Sequence, residues 1–186
     1  MTEEQKQILL KTAKDAVAGA VNDRPAAPPS CDDGDLNRQQ GCFVTLTNDR
    51  RLRGCIGRFT ADIPLIRLVA EMGAAAARKD PRFVADPITP AELNQLHIEI
   101  SVLSAMTRTD DPLSLRLGID GIYITKGYHS GCFLPQVATE TNWTKAEFLA
   151  YCCAHKAGLD PDAWRDPDTD VYLFTADAFG KDYADI

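Results

Sequence analysis

The chain has 186 residues, of which 45% are hydrophobic and 25% are charged, and its formal net charge is −7 at pH 7. This length and composition predict one globular domain, or one domain with a small inserted lobe, and they exclude a disordered or low-complexity chain. The acidic balance argues against general nucleic-acid or membrane-surface binding, because both depend on surplus positive charge.

The sequence carries no evident targeting or cofactor signal. Its apolar runs fall short of the roughly 18 residues of a membrane span, and its acidic N-terminus does not resemble a signal peptide. We therefore expect a soluble, cytoplasmic protein whose six cysteines are reduced thiols. It has no C-x-x-C pair, P-loop or G-x-G-x-x-G motif, and Cys152 and His155, one helical turn apart, lack a third ligand. We expect no metal and no cofactor.

The predicted elements begin with a helix and a hairpin. Thr2 and Gln5 form a capping box that opens the helix, which fades near Asn22. A loop over 24–40, rich in Pro, Asp and Gly, leads to two β-rich runs within 43–57. An Asn-Asp turn signal between these runs predicts that they pair as an antiparallel hairpin.

A second helix and a third strand are predicted next. Asp62 and Pro64 mark the start of the helix, and Pro81 marks its end because proline disfavours a helical conformation in the residue before it. The small side chains over 73–77 predict that this helix packs closely against a sheet. Apolar and polar residues alternate over 96–104, which predicts a half-buried strand.

The remaining part of the chain predicts another hairpin, a helix and a strand. The hairpin lies within 121–134 around a glycine-bearing turn. Thr144 and Glu147 form a capping box for the helix, which Gly158 closes, and 171–174 predicts the final strand. Separate hairpins and helices, without regular β-α-β alternation, favour an α+β fold with an antiparallel sheet flanked by helices.

The segment Leu-Arg-Gly-Cys-Ile-Gly over 52–57 is the most informative part of the sequence. In a strand, Arg53 and Cys55 share one face, whereas the leucine and isoleucine share the face toward the core. Gly54 allows a neighbouring backbone to approach closely. A guanidinium near a thiol favours the thiolate form. With Arg51 and Arg58 beside it, the segment predicts a local basic patch that suits a small anionic molecule.

This segment, preceded by Phe-Val-Thr-Leu over 43–46, resembles the signature of the AMMECR family, which includes the "AmmeMemoRadiSam system protein A" members. The resemblance extends from the first helix to about Tyr172 and implies a single domain over 1–186. It implies a larger lobe that holds both termini, a smaller lobe from the middle of the chain, and a cleft near their junction. The system name implies a link to a Memo-type protein and a radical S-adenosylmethionine protein. Further matching blocks occur at 77–83, 98–103, 121–122, 133–137, Glu140 and Trp143.

Two residues are candidates for catalysis. Cys55 is a candidate nucleophile supported by Arg53, and the alternative is a buried, inert thiol. Glu99 lies with His97 on the polar face of its strand and is a candidate general acid or base. The alternatives for Glu99 are a solvated strand face or an ion pair with Arg53 or Arg82.

Four further residues, together with Arg53, are candidates for substrate binding. Arg82 can hold a carboxylate or phosphate through two parallel hydrogen bonds, with Asp80 beside it at a helix end. The alternative is that Asp80 and Arg82 form a structural ion pair. Gln136 and Glu140 lie near a predicted helix entry, where an amide can orient a ligand or bind loop backbone groups.

The leading functional hypothesis is an enzyme, or enzyme component, that acts on a small anionic metabolite through Cys55. The alternative is a binding or scaffold module for the Memo-type and radical S-adenosylmethionine proteins, with the loop over 24–40 as a candidate contact surface. A third hypothesis is nucleic-acid binding through the arginines between positions 50 and 58. The net charge and the scarcity of neighbouring aromatic residues oppose it.

Overall fold

The protein has the α+β fold predicted from its sequence, with antiparallel strands flanked by helices. The computed structural model describes residues 1–24, 27 and 29–186. Residues 25, 26 and 28 of the predicted loop therefore lie outside the described residues. Within the described part of the chain, every helix is too short or too polar to cross a membrane.

The chain divides into two compact units. The first contains Met1–Leu103 and Asp177–Ile186, and therefore both termini, whereas the second contains Ser104–Ala176. The last strand, Asp170–Asp182, contributes residues to both units. The cleft that the family resemblance implies stays a prediction.

The first unit combines two helices with an antiparallel sheet. The elements are α1 (Glu3–Val21), β1 (Cys42–Asn48), β2 (Arg51–Arg58), α2 (Leu65–Arg78) and β3 (Leu96–Leu103). Strand β1 lies between β2 and β3, and β3 is followed in the sheet by the last strand of the chain.

Helix α1 begins at the predicted capping box. Thr2 Oγ1 accepts a hydrogen bond from the Gln5 amide at 3.2 Å, and Gln5 Oε1 accepts one from the Thr2 amide at 3.0 Å. These bonds satisfy two of the backbone N–H groups that a helix N-terminus leaves without partners. Leu9, Ala13 and Val17 form a buried stripe at helical spacing, as the sequence pattern predicts.

Helix α2 packs closely on two neighbours because its middle consists of small residues. A Cβ built on Gly54 of β2 would collide with the carbonyl oxygen of Ala76, so only glycine fits between this strand and the helix. A Cβ on Gly73 would lie 3.3 Å from the carbonyl oxygen of Ala13 in α1. The predicted close packing against a sheet is confirmed, and the same stretch also packs against α1.

A β-bulge interrupts the pairing of β1 with β2. Leu46 pairs with Gly54, but Thr47 pairs with Leu52, so Arg53 is the additional residue. Bulges re-aim side chains and break the alternation between strand faces. Leu52 therefore lies opposite Thr47 and does not continue the buried row that its position in a regular strand predicts.

The core of the first unit lies between its helices and one face of the sheet. Alternate residues of β1 and of the first half of β3 point into it, as the pattern predicts. The prediction is wrong for the second half of β3, where Ser101, expected on the polar face, is buried like its neighbours. The largest fully buried side chains of this core are Leu9, Leu36, Leu46, Leu65, Leu68, Ile88, Leu96, Ile98 and Ile100.

The second unit is built around a hairpin and a helix. The elements are β4 (Thr107–Thr109), β5 (Asp120–Lys126), β6 (His129–Phe133), α3 (Pro135–Thr139), α4 (Lys145–Cys152) and β7 (Asp170–Asp182). Strands β4 and β5 both pair with β7, and β6 pairs with β5.

Helix α4 starts and ends at the residues that the sequence predicts. The Thr144 hydroxyl accepts from the Glu147 amide at 3.3 Å, and the Glu147 carboxylate accepts from the Thr144 amide at 2.8 Å. One π-helical turn, Cys153–Ala157, extends the helix to Gly158, whose φ of 66° closes it in the left-handed conformation. Phe148 of α4 lies in the core of this unit. The sequence pattern missed the π-turn, the short β4 and most of the length of β7.

Candidate functional site

The candidate site lies on the face of the β1–β2–β3 sheet that points away from the helices. Cys55 of β2 and Glu99 of β3 are both register partners of Thr45 in β1, so the three residues form one row across the sheet. Paired positions on neighbouring strands share a face. Because adjacent strands lie about 4.8 Å apart, the backbones of Cys55 and Glu99 are separated by roughly 10 Å. All three side chains are half-buried.

Cys55 is one of three cysteines that remain partly accessible. Burial raises the pKa of Cys42 to about 12, and it also raises the pKa of Cys152 and Cys153. These three thiols stay protonated at neutral pH and are inert. Cys31 and Cys132 are half-buried like Cys55, and all six cysteines are free.

The sulfur and the backbone of Cys55 are both held by neighbouring groups. The Thr45 hydroxyl donates a hydrogen bond to Cys55 Sγ, with 3.2 Å between the two atoms. The Cys55 amide donates to Asp80 Oδ2 at 2.9 Å, and its carbonyl oxygen accepts from Arg82 Nη2 at 3.4 Å. The thiol therefore occupies a position fixed by one strand neighbour and by the segment that follows α2.

Asp80 is the buried carboxylate that binds both Cys55 and Arg82. Its side chain is 2% exposed, and it accepts hydrogen bonds from Arg82 Nη2 at 2.6 Å and Arg82 Nε at 2.9 Å. These two parallel bonds, with smaller contributions from the amides of Cys55 and Arg82, lower the pKa of Asp80 to about 2. Asp80 and Arg82 thus form the ion pair that the sequence left as one alternative.

Arg82 presents part of its charge to the surface. Its side chain is 55% exposed, and among the described residues its Nη1 has no hydrogen-bond partner. Its pKa is raised, chiefly by its hydrogen bonds to Asp80. Arg82 is also the arginine that reaches Cys55, because its Nη2 donates to the Cys55 carbonyl oxygen.

Arg53 is directed toward two carboxylates. Its Nε and Nη2 donate to Glu92 at 2.6 and 3.2 Å, and its Nη1 donates to Asp86 at 2.8 Å. Asn48 donates a further hydrogen bond to Glu92 at 3.1 Å. Arg53 also lowers the pKa of Glu92, principally through its hydrogen bonds. The sequence predicts that the positive charge of Arg53 stabilises a Cys55 thiolate, but in the structure Glu92 and Asp86 balance this charge.

Two of the three arginines of the predicted basic patch lie beside carboxylates. Besides Arg53, Arg58 lies 3.5 Å from a carboxylate oxygen of Glu71. Glu99 forms an ion pair with neither Arg53 nor Arg82 among the residues that the structure describes. Glu99 is half-buried on the face of the sheet that carries Cys55.

The two remaining candidate residues belong to the second unit. Gln136 lies in α3, and Glu140 is the exposed residue that caps the end of this helix. The Glu140 amide donates to the Gln136 carbonyl oxygen at 3.3 Å, and the Thr139 hydroxyl donates to the same oxygen at 2.7 Å. Gln136 is half-buried, and both residues stay predictions as substrate contacts.

Three residues of the site were missed from the sequence. Thr45 was recognised as part of a strand, but only the register shows that it lies beside Cys55. Asp86 and Glu92 lie 33 and 39 residues from Arg53 in the chain, and no local pattern signals their pairing with it. In the described part of the chain, no group of three or more His, Cys, Asp or Glu residues is arranged to hold a metal ion.

Comparison with known proteins identifies the family. The AMMECR1 family model matches residues 10–179. Protein TK0174 of Thermococcus kodakarensis is 40% identical over 192 aligned positions, which cover 97% of this chain and 92% of that protein. Protein MJ0810 of Methanocaldococcus jannaschii is 38% identical over 152 positions, which cover 77% and 74%. The crystal structure of PH0010 from Pyrococcus horikoshii matches with a TM-score of 0.89 at 35% identity, over 100% of this chain and 95% of that one. The chain belongs to the AMMECR1 family.

Proposed function

We propose that the chain is a thiol-dependent enzyme, or the thiol-bearing component of one, that acts on a small anionic metabolite at Cys55. Cys55 is the nucleophile, and Arg82 provides the nearby positive charge. Thr45 donates a hydrogen bond to the sulfur, and Glu99 is available for proton transfer at the far end of the same row.

The observation that carries this proposal is the environment of the Cys55 sulfur. A hydroxyl donor at 3.2 Å stabilises the charged form of sulfur, which is the nucleophilic form. The backbone of Cys55 is fixed on both sides by Asp80 and Arg82, so the sulfur occupies a defined position. A packing cysteine needs neither a hydrogen-bond donor at its sulfur nor a fixed charge beside it.

The preference for an anionic metabolite comes from Arg82. Asp80 binds the Nε and Nη2 edge of this half-exposed guanidinium, and among the described residues Nη1 has no hydrogen-bond partner. A carboxylate or phosphate oxygen is the group that an arginine N–H in this position binds best. Arg53 plays a positioning part in this account, because its bonds to Glu92 fix the bulge two residues before Cys55.

The test is a depletion screen with the full chain. The purified protein is incubated with a mixture of carboxylate- and phosphate-bearing metabolites, and their concentrations are followed by mass spectrometry. The same screen is run with Cys55→Ser and with Cys31→Ser, which removes another half-buried thiol. We expect the original protein and Cys31→Ser to consume a metabolite that Cys55→Ser leaves unchanged.

Two outcomes would count against this function. Equal consumption by Cys55→Ser and the original protein would refute a nucleophilic role for the thiol. If no metabolite is consumed by any of the three proteins, the alternative function is favoured. The chain would then be a binding or scaffold module for Memo-type and radical S-adenosylmethionine proteins, and co-elution with them would be the measurement to make.

A further inference from the structure

A pocket separate from the candidate site, here called the turn pocket, lies in the first unit beside the β1–β2 turn. Its volume is about 530 Å³, and none of its residues belongs to the row of Cys55, Thr45 and Glu99. This volume falls within the range of pockets that bind small molecules. The residues that line it and carry the argument are Asp49, Arg50, His97, Asp182 and Asp185.

The turn that forms one wall of this pocket is strained. Asp49 and Arg50 have φ values of 46° and 62°, which lie in the left-handed region. Two left-handed residues make the hairpin turn that ordinarily carries Asn-Gly or Asp-Gly. Aspartate tolerates this conformation at its first position, but arginine at the second position replaces the glycine that would adopt it without strain. Such strain in a well-defined turn points to a use for the Arg50 side chain.

The pocket is also lined by a histidine that is hydrogen-bonded to a carboxylate. His97 Nδ1 lies 2.7 Å from Asp182 Oδ1, which joins β3 to the end of β7. Gly180 leaves room for the imidazole, since a Cβ at that position would lie 2.5 Å from His97 Nε2. Asp182 therefore orients the ring, as a carboxylate does when it bonds one nitrogen of a working histidine.

The pocket is lined by groups of both charges, and apart from the pair of His97 with Asp182 they do not bind one another. Among the residues that the structure describes, Arg50 forms no hydrogen bond or ion pair, and the carboxylates of Asp49 and Asp185 form none either. A simple anion would pair with Arg50 but be repelled by the carboxylates, and a simple cation would leave Arg50 without a partner. A small molecule that carries a carboxylate and an ammonium group matches both.

We propose that the turn pocket binds an α-amino acid, or a molecule with the same pair of charged groups. The carboxylate of the ligand pairs with Arg50, its ammonium group pairs with Asp49 and Asp185, and His97 lines the same pocket. The strained arginine in the turn is then explained, because glycine would make the better turn but would remove the group that recognises the carboxylate.

The experiment uses the full chain and the common L-amino acids as probes. Each amino acid is tested by saturation-transfer NMR, and the strongest binder is then titrated by calorimetry. The informative variant is Arg50→Gly, which removes the guanidinium and suits the turn, and its control is Arg51→Ala, which removes the neighbouring exposed arginine. We expect at least one amino acid to bind, with affinity reduced about tenfold or more in Arg50→Gly and within about twofold of the original in Arg51→Ala.

Three results would overturn the proposal. The first is that no amino acid binds the original protein at about 10 mM, a concentration that reveals even weak sites. The second is unchanged binding by Arg50→Gly. The third is that acetate or ethylamine binds as tightly as the amino acid, because the pocket would then recognise only one of the two charges.

Discussion

The replacement of Asp80 by asparagine removes the negative charge that binds the Cys55 amide and the Arg82 side chain. Asp80 is 2% exposed and accepts hydrogen bonds from the Cys55 amide and from the Arg82 side chain. Asparagine has nearly the same size, but its amide offers one acceptor oxygen where the carboxylate offers two. The substitution therefore leaves the packing intact and weakens the bonds that fix both Cys55 and Arg82.

The expected loss of folding stability follows from the pKa of Asp80. This pKa is lowered from 3.8 to about 2, chiefly by the hydrogen bonds from Arg82. The difference corresponds to about 2 kcal/mol of stability at neutral pH. Because the folded-state pKa is the lower one, this stabilisation is complete above about pH 5, roughly half lost near pH 3, and absent well below pH 2. Arg82 is 55% exposed and can be solvated after the substitution, so the loss stays below the ~3–5 kcal/mol of a fully buried pair.

The assay is urea unfolding followed by circular dichroism from neutral pH down to about pH 3. We expect the difference in unfolding free energy between the original protein and Asp80→Asn to be about 2 kcal/mol at neutral pH and to shrink in acid. The control is Asp86→Asn, which removes a carboxylate that is 81% exposed from its pair with Arg53 and should cost less than about 0.5 kcal/mol. A difference for Asp80→Asn that does not change with pH would refute the reasoning.

Three further substitutions test separate parts of the fold by urea unfolding. Gly54→Ala should lower the free energy of unfolding by about 3 kcal/mol or prevent folding, because the added Cβ would collide with the Ala76 carbonyl oxygen. Unchanged stability would show that β2 and α2 do not approach each other so closely. Thr144→Ala should cost about 1 kcal/mol through loss of the α4 capping box, whereas no loss would mean that the cap does not hold the helix. Arg50→Gly should raise stability by about 1 kcal/mol, and a loss would contradict the strain assigned to the turn.

The elements that could be predicted from the sequence are those specified by residues close together in the chain. Both capping boxes are set by residues three positions apart, and both were found. The alternation of apolar and polar residues at the start of β3 likewise depends on neighbouring residues, as does the turn of the first hairpin. Close packing at Gly54 could also be predicted, because a glycine within a strand often marks a place where another backbone approaches closely.

The features that escaped prediction depend on distant residues. The bond between Cys55 and Asp80 joins residues 25 positions apart, and His97 and Asp182 are 85 positions apart. The bulge at Arg53 left no signature in the sequence, although it decides where that arginine points. Sequence reasoning therefore found Arg53, Cys55, Asp80 and Arg82 as individual candidates, but it linked the thiol to Arg53 and not to Arg82.

The central claim is that Cys55 is a reactive thiol, and its rate of alkylation tests this most directly. Iodoacetamide modification of the folded protein near neutral pH is followed by site-resolved mass spectrometry, with half-buried Cys31 as the internal reference. We predict that Cys55 reacts about tenfold faster than Cys31. Thr45→Val should slow it about fivefold by removing the hydroxyl donor, whereas Thr47→Val, on the same face of β1, should not. A Cys55 thiol that stays unreactive until the protein unfolds would contradict the account.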